Sequence, residues 1–232
     1  RDEDIIFSYI PSILLKREGT QFEVDAGYKM SFQEFLRDSD QNSFNHDVHS
    51  NIKVAGQKLK ARVNEKFSHL KAYASSEQSE RRTILVNDAQ PEVAYRLSPK
   101  FSIATVYQNY LFRYLESILE DFSYVKNDIG GRIYYHATPK LDFYLHGSGD
   151  ITDYYKSGRY DSKGYSILTG SVGKVTSKVQ VNLETGFKRQ RYDDRSINDF
   201  NNWVLKGVIQ YRLTPKIKAT LTGLREREES VY

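Results

Sequence analysis

Leu97-Ser98-Pro99-Lys100, Ala137-Thr138-Pro139-Lys140 and Leu213-Thr214-Pro215-Lys216 are three copies of one short phrase. A fourth copy without proline, Val175-Thr176-Ser177-Lys178, stands between the last two. Successive copies lie 40, 38 and 38 residues apart. Proline presets φ for a turn and pushes the residue before it into an extended conformation. Pro99, Pro139, Ser177 and Pro215 therefore read as tight turns, and each step reads as a hairpin and its return. Turn-like points near Gly19 and at Gly56-Gln57-Lys58 extend the series towards the start. Six tight turns at one end imply about twelve strands.

The segments between turns alternate with period two, as strands do. Phe22, Val24, Ala26, Tyr28, Met30 and Phe32 share one face, and Glu23, Asp25, Gly27, Lys29 and Ser31 the other. Leu59, Ala61 and Val63 oppose Lys60, Arg62 and Asn64. Ile133, Tyr135 and Ala137 oppose Arg132, Tyr134 and His136, and Leu141, Phe143 and Leu145 oppose Asp142, Tyr144 and His146. Leu205, Gly207, Ile209 and Tyr211 oppose Lys206, Val208, Gln210 and Arg212, and Ile217, Ala219 and Leu221 oppose Lys218, Thr220 and Thr222. One stretch, 101–120, also carries Leu111, Tyr114, Leu115, Ile118 and Leu119 at helical spacing, and 62–72 shares the ambiguity. A lone helix at 101–120 would break the 40-residue step, so strands are expected there too.

The connections at the other end are longer and polar: Arg37 to Asn42, Ser75 to Arg82, Glu116 to Asp121, Lys156 to Ser162 and Tyr192 to Ser196. Short turns at one end and long charged loops at the other are the pattern of an outer-membrane barrel. The composition agrees. Mean hydropathy is −0.64 and no run approaches 18 apolar residues, which excludes a transmembrane helix but not a barrel. Eighteen Tyr and twelve Phe against one Trp supply rings for interfacial belts. Alternation over about nine to eleven residues suits a tilted spanning strand, whereas soluble strands are usually nearer five or six. The expected fold is an all-β, antiparallel up-and-down transmembrane barrel, with residues 1–232 as a single domain.

Orientation sharpens this expectation. In the usual outer-membrane barrel both termini are periplasmic, so the first connection is an outer loop. Here the connection near Gly19 belongs to the tight-turn series, and the strand after Lys216 climbs away from a tight turn. The sequence reading is therefore an internal portion of a larger barrel of about 14–18 strands.

Charge and chemistry narrow the function. Thirty-four basic and thirty acidic residues are interspersed, without a basic tract, which argues against a nucleic-acid partner. There is no cysteine, hence no disulfide or thiolate metal site. His46 and His49, three apart, fall on opposite faces of a strand, so no metal pair is expected there. His136 and His146 flank the turn at Pro139. No zincin motif, nucleophile elbow or phosphate loop occurs, and no cofactor is expected. Asp193-Asp194 and Asp38 with Asp40 read as solvated loop charge. The candidate lumen-facing residues are Arg62, Arg132, Tyr134, Tyr144, Lys206, Gln210, Arg212 and Lys218. Aromatic faces beside amides and charges suit a sliding sugar polymer, and mixed charges equally suit a general porin.

The phrases Asp4-Ile5-Ile6-Phe7, Ile10-Pro11-Ser12-Ile13, Tyr95-Arg96-Leu97-Ser98-Pro99-Lys100 and Tyr211-Arg212-Leu213-Thr214-Pro215-Lys216 resemble segments of the Putative beta-barrel porin 2 family of bacterial outer-membrane proteins. The resemblance runs over nearly the whole chain and rests on turn and strand signatures, which specify fold better than function. It implies a further strand before the segment 4–13 and integral residence in the bacterial outer membrane, among lipid and lipopolysaccharide. Members are often linked to export of exopolysaccharide or capsule, as exit ports served by periplasmic export partners, and others are described only as porins. The resemblance carries no catalytic motif. Three classes of function follow: a passive transport barrel, a scaffolding barrel within an envelope complex, and, least supported, a barrel enzyme acting on lipid or glycan.

Overall fold

A computed structural model describes residues 5–37, 39–72, 81–156, 160–214 and 217–225. Pro215, Lys216, Asp38 and the connection 73–80 lie outside the described residues. The chain forms one antiparallel sheet of thirteen strand segments in sequence order. These are β1 (Ile6–Tyr9), β2 (Ser12–Arg17), β3 (Phe22–Phe35), β4 (Ser43–Ala55), β5 (Leu59–Ala72) and β6 (Arg82–Arg96). They continue as β7 (Phe101–Tyr114), β8 (Tyr124–Thr138), β9 (Leu141–Tyr154), β10 (Ser162–Lys174), β11 (Val179–Tyr192), β12 (Phe200–Arg212) and β13 (Lys218–Arg225). β1 and β2 lie end to end on β3, so thirteen segments make twelve passes. The interruption falls at Pro11, which has no N–H to give a ladder; its carbonyl still accepts from Met30 N at 3.0 Å.

The turns explain the repeated phrase. Ser98 Oγ accepts from the backbone N–H of Lys100 and Phe101, at 3.2 and 3.1 Å. Thr176 Oγ1 does the same for Lys178 and Val179, at 3.1 and 3.0 Å. Thr138 Oγ1 caps Lys140 N at 3.2 Å, and Thr214 Oγ1 caps Ile217 N at 3.1 Å. The hydroxyl of the phrase, rather than its proline, is the element common to all four turns. This is why Ser177 can replace proline without loss of the turn.

β3 to β12 are 13 to 15 residues long. A strand of that length extends roughly 45 Å, enough to cover a hydrocarbon core of about 30 Å even when tilted by about 45°. The register shows the tilt. The row of directly paired residues Val93, Thr105, Gly131, Gly147, Ile167, Phe187 and Trp203 begins three residues from the tight-turn end of β6. It finishes nine residues from that end of β12. Such a stagger is what a tilted barrel wall requires.

The two faces are inverted relative to a water-soluble sheet. Asp150, Thr152, Ser162 and Gln190 are 2 to 3% exposed, while Ile129 and Ile167 on the opposite face are 61% and 60% exposed. Exposed Phe22, Tyr95, Phe101, Tyr135, Phe143 and Tyr211 ring the apolar face beside the tight turns. Tyr28, Phe44, Tyr165 and Trp203 lie farther towards the loops. Two aromatic belts around an apolar band are the mark of a barrel's lipid face. No described helix is long and apolar enough to cross a membrane. The sheet is not closed: β1 with β2 at one side and β13 at the other have no further strand beside them among the described residues.

The helical alternative at 101–120 resolves into β7 and a 3₁₀ turn, Ser117–Phe122. The ambiguous stretch 62–72 is wholly strand, within β5.

Candidate functional site

The polar face is concave, and its side chains reach past intervening strands. Arg132 on β8 is the centre. Its Nη1 donates to the Tyr134 hydroxyl at 3.0 Å and lies 3.6 Å from Glu92 Oε2 on β6. Its guanidinium stacks over the Tyr144 ring of β9 at 4.8 Å. Arg62 on β5 donates to the same Glu92 carboxylate at 3.1 Å, and the Tyr134 hydroxyl donates to Glu92 Oε1 at 3.5 Å. The Tyr144 hydroxyl donates to Glu184 Oε2 of β11 at 2.9 Å. A continuous belt of charge and aromatic rings thus runs across the sheet from β5 to β11.

Two small residues let this belt cross. Tyr134 passes over β7 at Ala104, the partner of Arg132 in the register. Tyr144 passes over β10 at Gly170, which pairs with both Tyr144 and Glu184. A Cβ on Gly170 would stand 2.4 Å from the Tyr144 hydroxyl and 2.5 Å from Leu183 O, so a larger residue there would block the bond.

Towards the loops a second cluster surrounds Asp150, whose side chain is 1% exposed. Lys126 Nζ lies 3.5 Å and Lys188 Nζ 4.0 Å from its oxygens. Ser148 donates to Asp128 at 3.1 Å, and Gln190 donates to Ser162 Oγ at 2.8 Å. Asp150, Lys126, Lys188, Asp128 and Gln190, together with Arg132, His146 and Lys206, line a concavity of about 510 Å³.

The structure therefore gathers Arg62, Arg132, Tyr134 and Tyr144 in one network and places Lys206 on the wall of the adjoining concavity. Gln210, Arg212 and Lys218 sit apart, in a cleft at the tight-turn rim with Lys174 and Lys178. All eight share the polar face. Sequence reading missed Glu92 and Asp150 altogether and gave Glu184 no role, although strand parity places all three on the polar face. His46 packs on the apolar face against Tyr28 and Phe44, and His49 pairs with Asp25 at 3.3 Å on the polar face. His136 and His146 both point into the polar face, the first held by Asp142 at 2.7 Å. No group of three metal-binding side chains occurs among the described residues.

Comparison with known proteins fits this geometry. Two solved structures of OmpT, an outer membrane protein of Vibrio cholerae, share the fold at 14% identity. The outer-membrane expressed protein gives a TM-score of 0.56, covering 85% of this chain and 62% of its own. A loop L8 deletion mutant gives 0.54, covering 89% and 62%. This chain thus spans about 62% of the length of those proteins. No curated protein sequence matches it. The profile of the family described as Putative beta-barrel porin 2 matches residues 22–231. With that match over most of its length, the chain belongs to the Putative beta-barrel porin 2 family.

Proposed function

We propose that this sheet is the wall of an integral outer-membrane pore through which polar solutes or a surface polysaccharide pass without catalysis. The observation that carries the reading is the inversion of the two faces. Exposed aliphatic and aromatic side chains cover one side, and a hydrogen-bonded field of charges, amides and tyrosines covers the other. In lipid the first side meets acyl chains and the second encloses water. Arg62, Arg132, Tyr134, Tyr144 and Lys206 then line the pore between its middle and the tight-turn mouth, and Gln210, Arg212 and Lys218 stand at that mouth.

The Arg132–Tyr144 stack and the neighbouring Tyr134 give a sugar ring both a flat apolar face and hydroxyl partners, which favours a glycan over a fully apolar solute. Family membership supports the pore reading. Export partners in the periplasm are part of this proposal rather than of the structure. The test is conductance of the full-length protein in planar bilayers. Stable steps that scale with salt are expected. A folded, membrane-inserted protein that never conducts, alone or with its neighbours in the envelope, overturns the reading in favour of a scaffolding barrel.

A further inference from the structure

The repeated turn phrase ends in lysine, and the charge balance at that end of the sheet is one-sided. Lys58, Lys100, Lys140 and Lys178 stand at four successive tight turns, all exposed. Lys60, Arg96, Lys174, Arg212 and Lys218 stand at the adjoining strand ends, on the polar face by register. Among the described residues none of these nine cations has a carboxylate partner. The carboxylates at this end are already engaged: Glu18 with Lys16 at 2.8 Å, Glu23 with Lys53 at 2.9 Å, Glu92 with Arg62 at 3.1 Å and Asp142 with His136 at 2.7 Å. The loop end is different, with signs interspersed and pairs such as Glu120–Lys156 and Arg191–Asp199.

One feature of the rim opposes folding. Arg212 and Lys218 are direct cross-strand partners, and Lys178 adjoins them through its carbonyl, which accepts from Arg212 N at 2.8 Å. Like charges placed directly opposite are destabilising. Three cations converge there on one cleft, with Lys174 as a fourth lining residue. A locally unfavourable cluster is expected where an external anion offsets it.

We propose that the tight-turn rim is an anion-capturing mouth, so that the pore selects carboxylate- or phosphate-bearing solutes and an acidic glycan is its substrate class. The strand-end cations lie on the polar face, away from the lipid side, which favours a solute inside the opening over lipid headgroups outside it. A cleft lined by charge of one sign raises the local concentration of counter-ions. This inference deepens the pore reading and rests on it.

The test uses the full-length protein in two measurements. The first is reversal potential in a potassium chloride gradient, for the wild type and for the Lys100→Glu, Lys140→Glu, Lys178→Glu triple variant. Chloride preference is expected in the wild type, and its loss or reversal in the variant. Conducting channels with no anion preference, or a preference the variant leaves intact, overturn the proposal while the pore reading stands. The second is binding of polygalacturonate to detergent-solubilised protein, which decides the matter even if no current is seen. Binding should weaken with salt and fall about tenfold or more in Lys178→Gln, Arg212→Gln, Lys218→Gln. Equal binding by wild type and variant overturns it.

Discussion

At the scale of single residues, the turns make the sharpest statement. Ser177 occupies the proline position of the phrase, and its N–H donates no hydrogen bond among the described residues. Thr176 carries the capping role that Ser98 and Thr138 carry elsewhere. Ser177→Pro should therefore raise stability by about 0.4–1 kcal/mol through the unfolded chain. Thr176→Ala should lower it by roughly 1 kcal/mol by removing the cap. Urea unfolding midpoints of the refolded protein check both signs, and a destabilised Ser177→Pro would show that the turns are not equivalent. Gly170 gives a second contrast. Gly170→Ala meets Tyr144 and the Leu183 carbonyl at once and should cost about 1–3 kcal/mol. Gly131→Ala, whose Cβ meets nothing within 4 Å, should be neutral or slightly stabilising. The same residues mark what could be read in advance. Parity assigned Arg132, Tyr134 and Tyr144 to one face because a strand has only two. That Tyr134 and Tyr144 each skip a strand to reach Glu92 and Glu184 depends on curvature and on small residues in the neighbouring strands, which alternation does not encode.

At the scale of elements, the strands were legible because each turn repeats a local chemistry and each strand repeats a period. The stretch 101–120 shows where that legibility ends. Leu111, Tyr114, Leu115, Ile118 and Leu119 mimic a helical stripe only because they straddle a boundary. Leu111 lies on the outer face of β7, and Tyr114 is buried on the inner face with its N–H held by Ser123 Oγ at 3.0 Å. Ile118 sits 80% exposed in the 3₁₀ turn. That turn is tied to the next connection by Glu120 and Lys156, 2.5 Å apart. The hydrogen bond from Lys156, with its charge, holds the Glu120 carboxyl below its usual value of 4.5. The same bond raises the Lys156 ammonium above its usual 10.5. The sign follows for each. Glu120 contributes stability that is complete above 4.5 and lost as pH falls through its depressed value. Lys156 contributes stability that is complete below 10.5 and lost only as pH rises past its raised value. Loop ordering should thus be constant near neutrality and fail on the acid side. Amide exchange across 117–122, corrected for intrinsic rates, should accelerate on acidification below 4.5. Lys156→Ala should show the fast rate at neutral pH, and identical protection in the variant would remove the clasp from the account.

At the scale of the whole molecule, the inverted faces and the open sheet set one requirement. Each spanning strand has its N–H and C=O groups paired only by neighbours, and an unpaired edge in hydrocarbon costs several kcal/mol per group. The outer edges of β1, β2 and β13 lack such neighbours among the described residues. In the membrane they must be paired, either with each other or with further strands. The register constrains the choice. The row through Val93 and Trp203 climbs steadily across the sheet, so joining the two present edges directly would fix the stagger of a twelve-pass barrel, whereas further strands would extend the same climb around a wider one. The two arrangements predict one shared result and one that separates them. In the full-length protein in bilayers, the edge-facing amides of β13 and β2 should be as protected from hydrogen exchange as those between β7 and β8. Exchange at the rate of exposed strands would mean that the wall is not closed and that no pore exists. Paired cysteines introduced on β2 and β13 then discriminate: ready disulfide formation means the two edges meet. Protected edges without cross-linking mean that other strands stand between them, and the pore is wider than this sheet alone would make it.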